Sequence, residues 1–255
     1  MNNFKPNNLR SHILDMVYKK KSGHIGGSFS ICELISYLYS NYGLIKYNKL
    51  ILSKGHAVPA IYAVLYELGV INSLDSFREI DSKLQGHPDK TRMPEIHATT
   101  GSLGQGLSIA IGHALASKLY GKNNKVFCIM GDGEMQEGQV WEAFMLAPKY
   151  NLYNLICFID YNKAQGDGMV ENILDLYNLY DKIKSFGWEV FKVDGHNIDE
   201  IKAAAELPWG APKCIIMNTI KGKGVSFMEG NNDWHSKIPS EEEYKLAKKE
   251  LNESN

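Results

Sequence analysis

Two short turns rich in oxygen atoms stand about 30 residues apart in this chain, Gly131-Asp132-Gly133-Glu134 and Asp160-Tyr161-Asn162. Each directly follows an apolar run, Val126 to Met130 in the first case and Leu155 to Ile159 in the second. Short apolar runs bounded by turn residues read as buried strands. The stretch between them, Glu137 to Tyr150, reads as a helix. A strand–helix–strand unit lays two parallel strands side by side. Both turns then reach the same end of the sheet, where open α/β sheets bind their ligands. A carboxylate, an amide oxygen and a free backbone carbonyl form a set of hard ligands there. Such a set suits Mg²⁺, which takes a few protein oxygens and completes its shell from phosphate and water.

The remaining elements must hold these turns in place. Leu9, Ile13, Met16 and Val17 recur at a helical period, which predicts a helix over Asn8 to Lys21. Gly23 to Ser28 interrupts it, and Ser30 to Tyr42 resumes as a helix. Leu50 to Leu52 reads as a short strand ending at Ser53-Lys54-Gly55-His56, with a helix over Ala57 to Leu68 behind it. Residues 82–100 are loop-rich, and a helix follows from Leu103 to Tyr120. Beyond Asn162 the pattern predicts a helix over Leu174 to Phe186, then a strand over Trp188 to Val193. A helix capped by Asn197 over Ile198 to Leu207 and a strand over Lys213 to Thr219 complete it. The tail from Glu241 to Lys249 reads as a charged helix with a solvated face. Strands alternating with helices imply an α/β fold: a doubly wound parallel sheet with helices on both faces, in a single domain over 1–255.

The formal net charge of −1 gives no electrostatic case for binding nucleic acid or an anionic membrane. No apolar run approaches the length that spans a bilayer, and the start Met1-Asn2-Asn3-Phe4-Lys5 does not read as a secretory signal. Cys32, Cys128, Cys157 and Cys214 are far apart, and three of them lie inside apolar runs. They are expected to be buried thiols in a reducing compartment, which makes the chain cytoplasmic.

A GDG turn with an asparagine about 30 residues on resembles the thiamine diphosphate motif of thiamine-dependent enzymes. Further segments resemble transketolase, in the same order: Ser22-Gly23-His24, Leu52-Ser53-Lys54-Gly55-His56, Gly86-His87-Pro88, Thr99 to Gly106, and Trp234-His235. The resemblance runs from about residue 10 to about residue 240 and covers the diphosphate-binding half of a transketolase. It implies the N-terminal subunit of a split transketolase, using thiamine diphosphate and Mg²⁺ to move a two-carbon ketol unit from a ketose to an aldose. The pyrimidine-binding half would come from a second polypeptide, in a heterotetramer of two copies of each.

By the same resemblance, His24 reaches the sugar hydroxyls and His87 sits near the reacting end of the donor. His56 and His235 approach the diphosphate and the thiazolium, and His235 also takes part in catalysis. A neutral imidazole suits such work because one nitrogen donates while the other accepts. Asp132 and Asn162 are the implied Mg²⁺ ligands, with the backbone carbonyl of Ala164 as a third. Gly101, Ser102 and Leu103 are implied to touch the cofactor, and Gly133 to let the diphosphate lie close to the chain. The Gly-rich segment from Gly101 to Gly106 also reads as the opening of a helix, whose free N–H groups attract anions. Glu137 matches a glutamate that links paired active sites. His12, His97, His113 and His196 have no such support and read as structural.

Ser102 stands where the family usually has proline, and His97 where it usually has an acidic residue; Phe29 and Ser30 also depart from the common pattern. His97 and Ser102 are expected to flank the substrate side, so these departures bear on sugar choice and leave the metal and diphosphate residues untouched. The same domain occurs in 2-oxo-acid dehydrogenase E1 and in deoxyxylulose-phosphate synthase. His24 and His87 argue against the first, while length and motif order argue against the second. A nucleotide-binding dehydrogenase or a non-catalytic subunit is a further alternative. The chain has no G-x-G-x-x-G after a first strand, since Gln136 stands where the last glycine belongs, and it keeps every implied metal and diphosphate residue.

Overall fold

The computed structural model describes residues 4–208 and 210–253, so the polar start at Met1 to Asn3 lies outside the described residues. The first helix, α1 (Pro6–Lys20), begins on a proline and ends where Lys21 turns left-handed at φ 50°. It is followed by α2 (Gly26–Phe29), α3 (Cys32–Asn41), β1 (Lys49–Leu52), α4 (Val58–Glu67) and α5 (Gly106–Leu119). The strand–helix–strand unit comprises β2 (Val126–Gly131), a 3₁₀ turn over Gly133–Gln136, α6 (Gly138–Lys149) and β3 (Leu155–Tyr161). After it come β4 (Ala164–Gln165), β5 (Gly168–Met169), α7 (Val170–Leu174) and α8 (Leu179–Ser185). The chain then forms β6 (Glu189–Asp194), α9 (Ile198–Glu206), β7 (Lys213–Asn218), a 3₁₀ turn over Asn232–His235, and α10 (Glu241–Glu253).

Five strands pair in the order β1-β2-β3-β7-β6, all parallel. Alternation along each strand divides the core in two. Phe127, Ile129, Phe158, Ile215 and Met217 pack with the buried faces of α1, α3, α4 and α9. Their neighbours Cys128, Met130, Cys157, Ile159 and Ile216 pack with α5, α6 and α8. This is the doubly wound sheet that the alternation predicts. All four cysteines are buried and free, as expected of structural thiols. Among the described residues no helix is long and apolar enough to cross a membrane.

Several boundaries differ from the sequence reading. The helix expected over Leu174 to Phe186 starts only at Leu179, because side chains in the loop after α7 offer the backbone other partners. The Asp175 carboxylate accepts from the Tyr177 N–H at 2.8 Å, and the Asn178 amide oxygen accepts from Asp181 N–H at 3.2 Å to cap α8. The helix expected from Leu103 starts only at Gly106, since Gly104 is left-handed at φ +82°. The break at Gly23 to Ser28 contains the single turn of α2, and the two-residue strands β4 and β5 are too short to show a period. His97 accepts from the Leu50 N–H at 3.0 Å and so covers the open edge of β1.

Candidate active site

The carboxyl ends of β1, β2, β3 and β7 carry the residues that form the site. They open into a cleft of about 330 Å³ whose lining includes His56, Leu103, Asp132, Gly133, Glu137 and Asn162. Ala164, Lys54, Lys221 and His235 complete its chemistry. Four histidines from four separate loops meet beside it. The His24 ring lies 5.4 Å from His56, 5.3 Å from His235 and 6.2 Å from His87, and His56 lies 5.3 Å from His235. His12, His113 and His196 are elsewhere. His12 pairs with Glu67 at 2.8 Å, and His196 accepts from the Ile220 N–H at 2.9 Å while it contacts Glu33, so both are structural.

Burial keeps the four clustered imidazoles neutral. It is the largest cause of lowering at each one, pushing His24 and His235 down to about 4 and His56 and His87 below the usual imidazole value. Nearby cations and the other imidazoles add to it. Lys221 Nζ lies 3.1 Å from His235 Nδ1 and donates to Asn232 at 2.8 Å. An ammonium has no lone pair, so Nδ1 of His235 accepts and its proton resides on Nε2. His24 Nδ1 and Gln165 Oε1 are buried with no protein hydrogen bond, so two polar atoms beside the cleft await a partner.

Asp132 caps the turn after β2. It is 1% exposed, and its carboxylate accepts the N–H of Gly133 at 2.8 Å and that of Lys163. Lys163 is left-handed at φ 64°, which brings the turn after β3 back toward Asp132. Burial, and then the charge of Asp160, push Asp132 up to about 7. It forms no ion pair among the described residues. Asn162 donates to Asp160 at 2.9 Å, and its Oδ1 accepts from Ala164 N–H at 3.1 Å. The amide is thereby oriented with its nitrogen toward Asp160 and its oxygen toward the turn. A buried carboxylate short of positive charge, an oriented amide oxygen and a backbone carbonyl fit a hard cation. Among the described residues no group of three His, Cys, Asp or Glu could hold a metal ion. Lys54 and Lys221 in the lining, together with the absence of a side chain at Gly27 and Gly133, fit a diphosphate beside it.

One expectation needs correction. The start of α5 does not offer a row of free N–H groups: Gly104 N–H donates to Glu134 at 2.8 Å and Gly106 N–H to Ser53 Oγ at 3.0 Å. Glu134 is 2% exposed and also accepts from Ser53 and from Gly131, so it occupies the anion position itself. Ser102 is exposed and stands outside the lining, whereas Gly101 packs on the His87 ring, where an added Cβ would lie at 3.3 Å. On α6, Phe144 is fully buried while Met145 and Leu146 are exposed.

Lys54, Glu134, Asp160, Gln165 and Lys221 had no role in the sequence reading. Asp160 is fully buried and accepts from Lys54, Ser30, Asn162 and Thr219. Burial raises it, but the Lys54 charge and the hydrogen bonds outweigh that and hold it below the usual carboxylate range. The available signal was a charged residue set directly against an apolar strand, at Lys54, Asp160 and Lys221.

A parallel sheet with a polar cleft at the carboxyl ends of its strands is the class of open α/β fold that binds ligands there. Residues 2–254 match the transketolase thiamine diphosphate binding domain, and the chain belongs to the transketolase family. It is 45% identical, over 96% of its length and 94% of the relative's, to the 6-deoxy-6-sulfo-D-fructose transketolase subunit of a Clostridium species. It is 36% identical to an apulose-4-phosphate transketolase subunit of Phocaeicola vulgatus, over 96% of this chain and 91% of that one. The transketolase of Campylobacter jejuni superposes with a TM-score of 0.90 at 33% identity, over 97% of this chain and 42% of that one. The chain therefore spans nearly all of the subunit relatives but well under half of the solved transketolase. Family membership sets aside the dinucleotide-binding alternative.

Proposed function

We propose that this chain is the diphosphate-binding subunit of a two-subunit transketolase, a single domain acting in the cytoplasm with a pyrimidine-binding partner in a heterotetramer of two copies of each. The observation that carries the reading is the meeting of His24, His56, His87 and His235 beside Asp132 and Asn162. Mg²⁺ would be held by Asp132, Asn162 and the Ala164 carbonyl, and thiamine diphosphate by His56, His235 and the chain at Gly101, Ser102, Leu103 and Gly133. Bound there, thiamine diphosphate supplies a carbon centre that holds a two-carbon unit between donor and acceptor. The chain's own residues bind, orient and exclude water. His24 and His87, neutral and half-buried, hydrogen-bond the sugar oxygens, and His235 donates from Nε2. Glu137, exposed at the rim, faces a second copy or the partner.

Contact with other subunits is supported by an open apolar groove of about 450 Å³ beside the cleft, lined by Trp141, Leu174, Tyr177 and Phe186. Exposed Met145 and Leu146 lie on the same helix as Trp141. Obligate interfaces bury more than about 2,000 Å² and are apolar at the centre. Because one similar protein is named for a sulfonated ketose, the donors to be tried are ketoses with a terminal sulfonate as well as a terminal phosphate. The test is ketol transfer by this chain, Mg²⁺ and thiamine diphosphate, before and after addition of the partner. Activity should require the partner; full activity from the chain alone overturns the split arrangement, and none from the pair overturns the assignment.

A further inference from the structure

Arg78 is held in a left-handed backbone conformation, φ 59°, in the loop that leads to His87. Such a conformation is sterically costly for a residue with a Cβ and persists only where its surroundings impose it. Here the Arg78 N–H donates to the Leu84 carbonyl at 2.7 Å and closes the loop. The side chain is half-buried and forms no ion pair among the described residues. One guanidinium nitrogen, Nη1, donates to the Ser22 hydroxyl. On its other side it lies against Gly86, where an added Cβ would collide with Nε and Nη2.

Ser22 is two residues before His24, and Gly86 immediately precedes His87. The guanidinium thus bridges the two turns whose rings stand 6.2 Å apart. A planar fork with several donors can brace two backbones at once, which a flexible ammonium cannot. We propose that Arg78 is a positioning residue whose guanidinium clamps the Ser22–His24 turn onto the Gly86–His87 turn and so fixes the spacing of the two imidazoles. This rests on the transketolase reading only for the consequence to turnover.

The electrostatics agree with the geometry. His24 is faced by the His56, His87 and His235 rings, by Lys221 and by Arg78, and it meets no carboxylate among the groups that shift it. Burial is the main cause of lowering at His87, and Arg78 is the charge that adds to it. The clamp therefore also opposes protonation of both rings.

Arg78→Met, Arg78→Lys and Ser22→Ala test this in the full chain. Imidazole titrations by ¹⁵N NMR need no partner and no cofactor. Arg78→Met should move the His24 and His87 midpoints up, while His97, lowered by burial and by Lys49 instead, stays in place and reports an intact fold. Arg78→Lys should return the midpoints, since charge is restored. With the partner present, Arg78→Met and Arg78→Lys should both lose turnover by about 100-fold, the scale of a misplaced reacting geometry. Thiamine diphosphate affinity should stay at the wild-type value, and Ser22→Ala should fall between. Unmoved His24 and His87 midpoints in Arg78→Met overturn the proposal, as does wild-type turnover. If Arg78→Met does not fold, wild-type turnover in Ser22→Ala overturns it equally. A wild-type pair without ketol transfer defeats the functional reading alone, because the titrations still decide whether the guanidinium stands against both rings.

Discussion

Asp132 and Asp160 end neighbouring strands at almost the same level, with Gly131 and Asp160 opposite each other in register, and both are buried. Their surroundings differ completely. Asp160 accepts from an ammonium, two hydroxyls and an amide, and is held ionised. Asp132 has two backbone N–H groups and no ion pair among the described residues, and burial pushes its carboxyl up to about 7. Identical side chains a strand apart thus serve opposite ends. The saturated carboxylate holds the framework together, and the undersatisfied one is available to a ligand.

Substitution at the two positions should separate these roles. Asp160→Ala has the largest expected effect on stability. It strands the Lys54 ammonium, 1% exposed, in the interior, and breaking a buried pair from one side costs about 3–5 kcal/mol. Urea denaturation of the isolated chain measures it, and a loss below about 1 kcal/mol, the value of an ordinary hydrogen bond, would show that the pair is not structural. Asp132→Ala should destabilise the chain less, since no charge is stranded. Its cost falls on the ligand: Mg²⁺-dependent thiamine diphosphate binding should weaken by more than the 10–100-fold, roughly, that loss of an outer-shell partner causes. Calorimetry with and without Mg²⁺ gives the answer, and unchanged affinity removes Asp132 from the metal site.

The smallest effect concerns pH. His24 and His235 have folded values near 4, below the ordinary imidazole value of 6.5, so the unfolded chain binds more protons between those limits. Stability should fall as pH drops from 6.5 toward 4, with the slope vanishing below. His24→Gln should flatten the slope in denaturation curves taken across that window. A wild-type slope in His24→Gln would assign the acid loss to other groups.

Much of this was legible from local pattern. The runs Val126–Met130 and Leu155–Ile159 could only be buried strands, and a helix between them fixed their parallel pairing and thus the shared edge for Asp132 and Asn162. The helix boundaries at Gly106 and Leu179 were not legible, because they depend on which side chain reaches which backbone group. The site shows the same limit. The resemblance to transketolase singles out His24, His56, His87 and His235, but their meeting within ring-contact distance needs four loops from remote parts of the chain.

What the sequence determined by itself was the strand and helix alternation, the family, and the residue types offered at the carboxyl edge. These follow from periodicity and short spacing, which are properties of neighbouring residues. The tertiary structure alone decided how each charged group is satisfied. Lys54 meets Asp160, Ser53 meets Glu134, and Arg78 meets Ser22, across separations that no local pattern encodes. Because the state of a buried carboxylate or imidazole depends on the few atoms within hydrogen-bond reach, only the folded chain settles which groups are structural and which remain open to a ligand.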